Sequence, residues 1–172
     1  MTILNREALK CSIQRLAGEG ILIGTSSWKY PDWRGMLYDE ARYVWRCKFA
    51  ESRFQKNCLN EYAEVFKTVC VDAAYYSFPS TKYLGGLAAQ VPADFRFAFK
   101  ITDESTLKTF PNLPRFGGRA GKPNEHFLNA GLFERAFLKP CESIRSRVGL
   151  LIFEFSRFIL AILSTAAISS RH

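Results

Sequence analysis

TVCVDAA, from Thr68 to Ala74, is the stretch that decides how this chain folds. Its β-branched and apolar residues run without alternation, which is how a strand buried on both faces of a sheet is written. Just before it, Leu59, Tyr62, Ala63 and Phe66 recur at i, i+3, i+4 and i+7, the period of an amphipathic helix. Lys67 stands near that helix's end, where the dipole favours a cation. Just after it, Ser80 is placed to cap a helix with Leu84, Leu87, Ala88 and Val91 on one face. Gly85 and Gly86 weaken that helix by roughly 1 kcal/mol each relative to Ala, and Pro92 ends it. FRFAFKI (Phe95–Ile101) then alternates as a further strand.

The same rhythm extends in both directions. Leu9, Ile13, Leu16 and Ala17 share the face of a leading helix, and Ile21–Gly24 is an apolar run predicted as the first strand. Lys29 to Asn57 reads as an irregular excursion with seven basic residues. Beyond the third strand, a Pro- and Gly-rich connection runs from Thr102 to Asn124 and includes PNLPRFGGRAGKP, predicted as flexible. Asn124 is expected to cap a helix through Phe127, Leu128, Leu132, Phe133, Ala136 and Phe137. Pro140 would interrupt it, Ile144 and Val148 would extend its face, and Gly149 would close it. LLIFEF (Leu150–Phe155) is the fourth strand.

The order βαβαβαβ with apolar strands predicts a parallel sheet joined by right-handed crossovers. A doubly wound open sheet and part of a (β/α)8 barrel both fit, and both place sites at the carboxyl ends of strands. No G-x-G-x-x-G or Walker spacing follows any strand, which removes the plainest nucleotide fingerprints.

Composition narrows the class. At 172 residues, 48% hydrophobic and 23% charged, the chain is about one globular domain. The net charge of +8 is spread along the chain, compatible with solvated faces or with a polyanionic partner. Cys11, Cys47, Cys58, Cys70 and Cys141 are scattered, odd in number and without C-x-x-C spacing, which points to reduced thiols. His126 and His172 are the two imidazoles, too few for a zinc site on this chain alone. The start lacks the pattern of an export signal, and FILAILSTAAIS falls short of the roughly 20 apolar residues that span a bilayer. The expectation is a cytoplasmic protein without a membrane segment.

GTSSWKYPDWRG (Gly24–Gly35) resembles the G-T-S-G-W-x-Y-x-x-W-x-G opening of the YecE-like family, also called the domain of unknown function 72 family. EYAEVFKTVCVDAAYYSFPS is similar to that family's helix followed by T-V-E-x-N-x-T-F-Y and a proline. VPADFRFAFKIT is similar to its P-x-x-F-x-F-x-x-K strand, and LLIFEFSRF to its L-x-Q-F-P-x-x-F. The likeness runs from about Ile21 to Phe158. It implies a TIM barrel resembling those of the endonuclease IV and xylose isomerase type, with no settled activity. Four positions depart from the pattern: Cys70 stands for Glu, Asp72 for Asn, Tyr75 for Phe and Glu154 for Gln. The resemblance also implies a further helix and a strand after Phe158, whereas the chain reads ILAILSTAAISSRH. Residues 1–172 are therefore expected to form a single partial barrel of about four βα units, with 159–172 an aberrant tail from a truncated gene.

In a barrel, residues just past each strand share one mouth. That geometry would gather Ser26, Ser27, Trp28, Tyr30 and Trp33 after the first strand, with Asp72, Tyr75 and Tyr76 after the second. Lys100 would join from the third and Glu154 from the fourth. The aromatics would wall a pocket for a planar or sugar-like ligand, or pack as a lid over the barrel end. Asp72 and Glu154 are the candidate acid/base pair, and Lys100 could bind an anion or form an imine. His126 reads as a surface residue. Three functions compete: an enzyme acting on a small polar or phosphorylated molecule, a nucleic-acid-binding barrel, and a non-functional truncated product that self-associates through open barrel edges. No cofactor is assigned.

Overall fold

The computed structural model describes residues 4–156; the expected aberrant tail, 159–172, lies outside them. Helix α1 spans Arg6–Gly18, and the Asn5 side chain caps it by accepting from the Ala8 N–H at 3.0 Å. Ile13 and Leu9 turn its apolar face to the core. The first strand, β1, is only Gly24–Thr25. Ile21, Leu22 and Ile23, read from sequence as buried strand, are exposed. The reason is position: among the described residues β1 is paired on one side only.

The basic excursion is more ordered than its sequence suggests. It holds two 3₁₀ turns, Pro31–Trp33 and Glu40–Tyr43, and an antiparallel hairpin of β2 (Val44–Trp45) with β3 (Lys48–Phe49). Helix α2 then spans Glu51–Val65, starting well before Leu59 and burying Phe54 and Cys58 as well as Leu59, Tyr62 and Ala63.

Strand β4 covers Thr68–Val71, and the chain turns helical at Asp72 into the short α3, Ala73–Tyr76. The strand therefore stops before the predicted Ala74, and Thr102 Oγ1 holds the turn by donating to the Ala74 carbonyl at 2.7 Å. Helix α4, Thr81–Ala88, has the expected cap: Ser80 Oγ accepts from the Tyr83 N–H at 3.2 Å. Strand β5 is Arg96–Lys100 and is followed by α5, Asp103–Thr106.

The connection predicted as flexible packs instead. Leu107, Phe110 and Phe116 form their own small buried cluster. Asn124 does not cap a helix; its amide donates to the Glu104 and Leu107 carbonyls, each at 2.8 Å. The cap belongs to Asn129, which accepts from the Leu132 N–H at the start of α6, Ala130–Phe133. A π-turn over Glu134–Leu138 carries the helical path into α7, Lys139–Cys141, so Pro140 does not break it. A single π-turn is the local adjustment by which a helix absorbs an irregular position.

Strand β6, Val148–Ile152, takes in Gly149, which sequence reading assigned to the helix end. Gly149 falls at a bulge, skipped between the pairs Phe97↔Val148 and Ala98↔Leu150. A Cβ there would meet Arg96 Cβ at 3.0 Å, so a glycine suits the close approach.

The main sheet runs β1-β4-β5-β6, every pair parallel. Val69, Val71, Phe97 and Phe99 point into one core shared with α1, α2, α4 and Phe137. Their alternates Thr68, Cys70, Arg96, Ala98 and Lys100 are only half-buried. Among the described residues, helices thus cover one face, and strand order follows chain order. No helix among the described residues is long and apolar enough to cross a membrane.

Candidate functional site

The carboxyl ends of β4, β5 and β6 lie side by side because the three strands are parallel and in register, Val71 beside Phe99 and Lys100 beside Ile152. Lys100 Nζ sits 3.1 Å from Glu154 Oε2, joining the ends of two strands. That hydrogen bond, helped by the charge of Asp72, raises the Lys100 pKa above its ordinary 10.5. An ammonium so held stays charged at neutral pH. It anchors an anion well and attacks a carbonyl poorly, which weighs against the imine alternative.

Beneath this pair, Cys70 Sγ donates to Asp72 Oδ1 at 3.5 Å. Burial, together with Asp72, pushes the Cys70 thiol up to about 11. A thiol raised in this way keeps its proton and shares it with the Asp72 carboxylate.

The helical turn α3 swings Tyr75 and Tyr76 to one side, with rings 5.3 Å apart and edge-on. In a strand, successive residues would face opposite ways, but here the chain is helical. Arg115, on the connection read as flexible, sits 5.6 Å from the Tyr75 ring, 5.2 Å from Tyr76 and 4.1 Å from Phe116. Its Nη1 donates to the buried Asp103 carboxylate at 2.6 Å. Burial raises the Tyr75 pKa, Asp103 and Glu154 add to it, and Arg115 opposes them.

A cavity of about 440 Å³ opens beside this cluster, lined by Tyr76, Phe78, Thr102, Asp103, Glu104, Arg115, Arg119 and His126 among others. Glu104 binds Arg119 at 2.7 Å and His126 Nδ1 at 2.8 Å. Burial alone would raise its pKa, but those two partners hold it below 4.5. His126, read from sequence as a surface residue, is half exposed and part of this wall. From sequence, the glycines and basic residues of PRFGGRAGKP could admit a phosphate, but without Walker spacing the stretch reads as a flexible connection; Phe116 between Arg115 and Arg119 was the available signal for a packed loop.

The residues after β1 gather elsewhere. Trp28 is 5% exposed, and its carbonyl accepts from the Tyr38 hydroxyl. It borders a cavity of about 400 Å³ between α2 and α4 with Lys29, Gln55, Lys82 and Tyr83. Tyr30 and Trp33 pack ring to ring at 4.4 Å, and Trp33 reaches Leu9 and Phe66 across an apolar cavity of about 180 Å³. Ser26 Oγ lies 3.3 Å from the Tyr30 hydroxyl, and Ser27 Oγ accepts from the Lys29 N–H. Among the described residues no hydrogen bond, ion pair or ring contact joins this group to Asp72, Lys100 or Glu154. Asp72, Tyr75, Tyr76, Lys100 and Glu154 are thus linked by their contacts and charges, while Ser26, Ser27, Trp28, Tyr30 and Trp33 are tied to one another and to the loop and helices around them.

A family model described as "Protein of unknown function DUF72" matches residues 22–160. The chain belongs to the DUF72 family. This is the YecE-like family whose motifs the sequence resembles. Among solved structures, a DUF72 family protein from Enterococcus faecalis V583 is similar at 22% identity and a TM-score of 0.41. The match covers 64% of this chain and 38% of that one, so the chain spans well under half of that protein's length. No curated protein matches this chain.

Proposed function

We propose that this DUF72 chain carries part of a (β/α)8 barrel whose mouth binds a small polar or phosphorylated substrate. The barrel reading is supported by a strand order that never reverses and by a sheet with helices on one face only, since right-handed crossovers in unbroken sequence curl a sheet toward closure. The observation that carries the site is the Lys100–Glu154 pair at 3.1 Å, flanked by Asp72, at adjacent strand ends. Lys100, kept charged, holds the anionic group of the substrate. Asp72 and Glu154 supply the carboxylates for proton transfer, and Tyr75 and Tyr76 offer ring edges and hydroxyls to the rest of the molecule.

The test is calorimetric titration of the chain with a panel of small phosphate esters and carboxylates. One class should bind, and Lys100→Met should weaken it about tenfold, the worth of one charge-assisted hydrogen bond. A binder indifferent to that substitution, or a panel with no binder, would overturn the reading.

A further inference from the structure

The basic excursion between β1 and α2 plays no part in that cluster, and its geometry has its own chemistry. The hairpin of β2 and β3 closes through Arg46 and Cys47, with φ of 50° and 60°. A two-residue hairpin loop of type I′ has left-handed backbone at both positions, which usually selects Asn and Gly. Residues with larger side chains pay about 1–2 kcal/mol each for that conformation. The turn holds Trp45 out from the molecule, with 59% of its surface exposed. Guanidiniums of Arg46 and Arg53 stand 5.9 and 5.4 Å from its ring centroid. Arg53 is tied to the hairpin through the Val44 carbonyl at 3.4 Å.

Arg46, Lys48, Arg53 and Lys56 are all exposed and form no ion pair among the described residues. Arg42, close by in sequence, differs: Glu64 takes it up at 3.3 Å. The acid within this segment, Glu51, accepts from the Gln55 amide. An accessible indole therefore sits beside Arg46 and Arg53, with Lys48 paired to it across the hairpin and Lys56 one turn beyond Arg53 on α2, four cations against the single carboxylate of Glu51.

We propose that this hairpin and the first turns of α2 form a docking surface for single-stranded nucleic acid. Cations track the phosphates, and the indole face stacks on a base, which a duplex keeps hidden between its neighbours. The proposal stands apart from the strand-end cluster and does not depend on it.

The test is fluorescence anisotropy of a labelled thymidine oligonucleotide with the full chain, beginning at about 50 mM salt. Trp45→Ala should weaken binding roughly fivefold or more without changing the melting curve, and Trp45→Phe should restore most of it. Replacing Arg53 and Lys56 with Gln should lower the slope of log affinity against log salt by about 1.4. Three results would overturn the proposal: no binding at low salt, Trp45→Ala binding as tightly as the parent, or polyglutamate and anionic vesicles binding as tightly as the oligonucleotide.

Discussion

Gly24 shows how little room a single position can leave. A Cβ on it would lie 2.0 Å from the Thr68 carbonyl oxygen and 2.8 Å from Thr68 Cγ2. Backbone cannot yield as a flexible side-chain tip does, so Gly24→Ala must push β1 away from β4. A loss of about 3 kcal/mol is expected, at the upper end of overpacking costs, read as a lower denaturant midpoint with an unchanged slope. Glu104 makes a second prediction at this scale. Arg119 and His126 hold its folded pKa below the ordinary 4.5. A depressed carboxylate contributes stability above its unfolded pKa and loses it as pH falls through the folded one. Glu104→Gln should therefore flatten the fall in melting temperature below pH 4.5, while the parent keeps the steeper acid limb.

Among the elements, α4 is the one with stability to gain. Gly85 and Gly86 lie in its interior, both exposed, and a Cβ on either would meet nothing within 4 Å. Neither has the positive φ that would make alanine costly. The double change to Ala should raise stability by about 2 kcal/mol, from helix propensity alone, seen as a higher melting temperature. The elements were legible where period and caps agree, as with Ser80 before α4 and the alternation of β5. They were not legible where a tertiary contact decides: Asn124 was available as a cap, but buried carbonyls of Glu104 and Leu107 claim its amide. Gly149 likewise looks like a helix terminator, and only the bulge against Phe97 makes it a strand residue.

At the scale of the whole molecule, helices among the described residues cover one face of the sheet and not the other. Its edge strands and their flanks expose Ile21, Leu22, Ile23, Leu150, Phe153 and Phe155. Exposed apolar surface beside unpaired strand edges promotes association. The chain should therefore sediment as larger species with rising concentration, and Leu150→Lys together with Phe153→Lys should shift it toward monomer. Sedimentation at unchanged weight across the range would refute this. Lys100, Asp72 and Glu154 were readable from the sequence as strand-end residues, since β-branched and apolar periodicity marks where strands stop. Their meeting at one edge follows from the parallel register, which the alternation of strands and helices implies. The sequence alone thus determined the repeating strand–helix order, the parallel sheet and the family motifs, because these rest on local pattern. Only the tertiary structure decided that Trp28 in the loop after β1 is buried and that Arg115 and Arg119 line the cavity beside the strand-end cluster. Both depend on which distant surface buries Trp28 and Phe116, and no local periodicity encodes that choice.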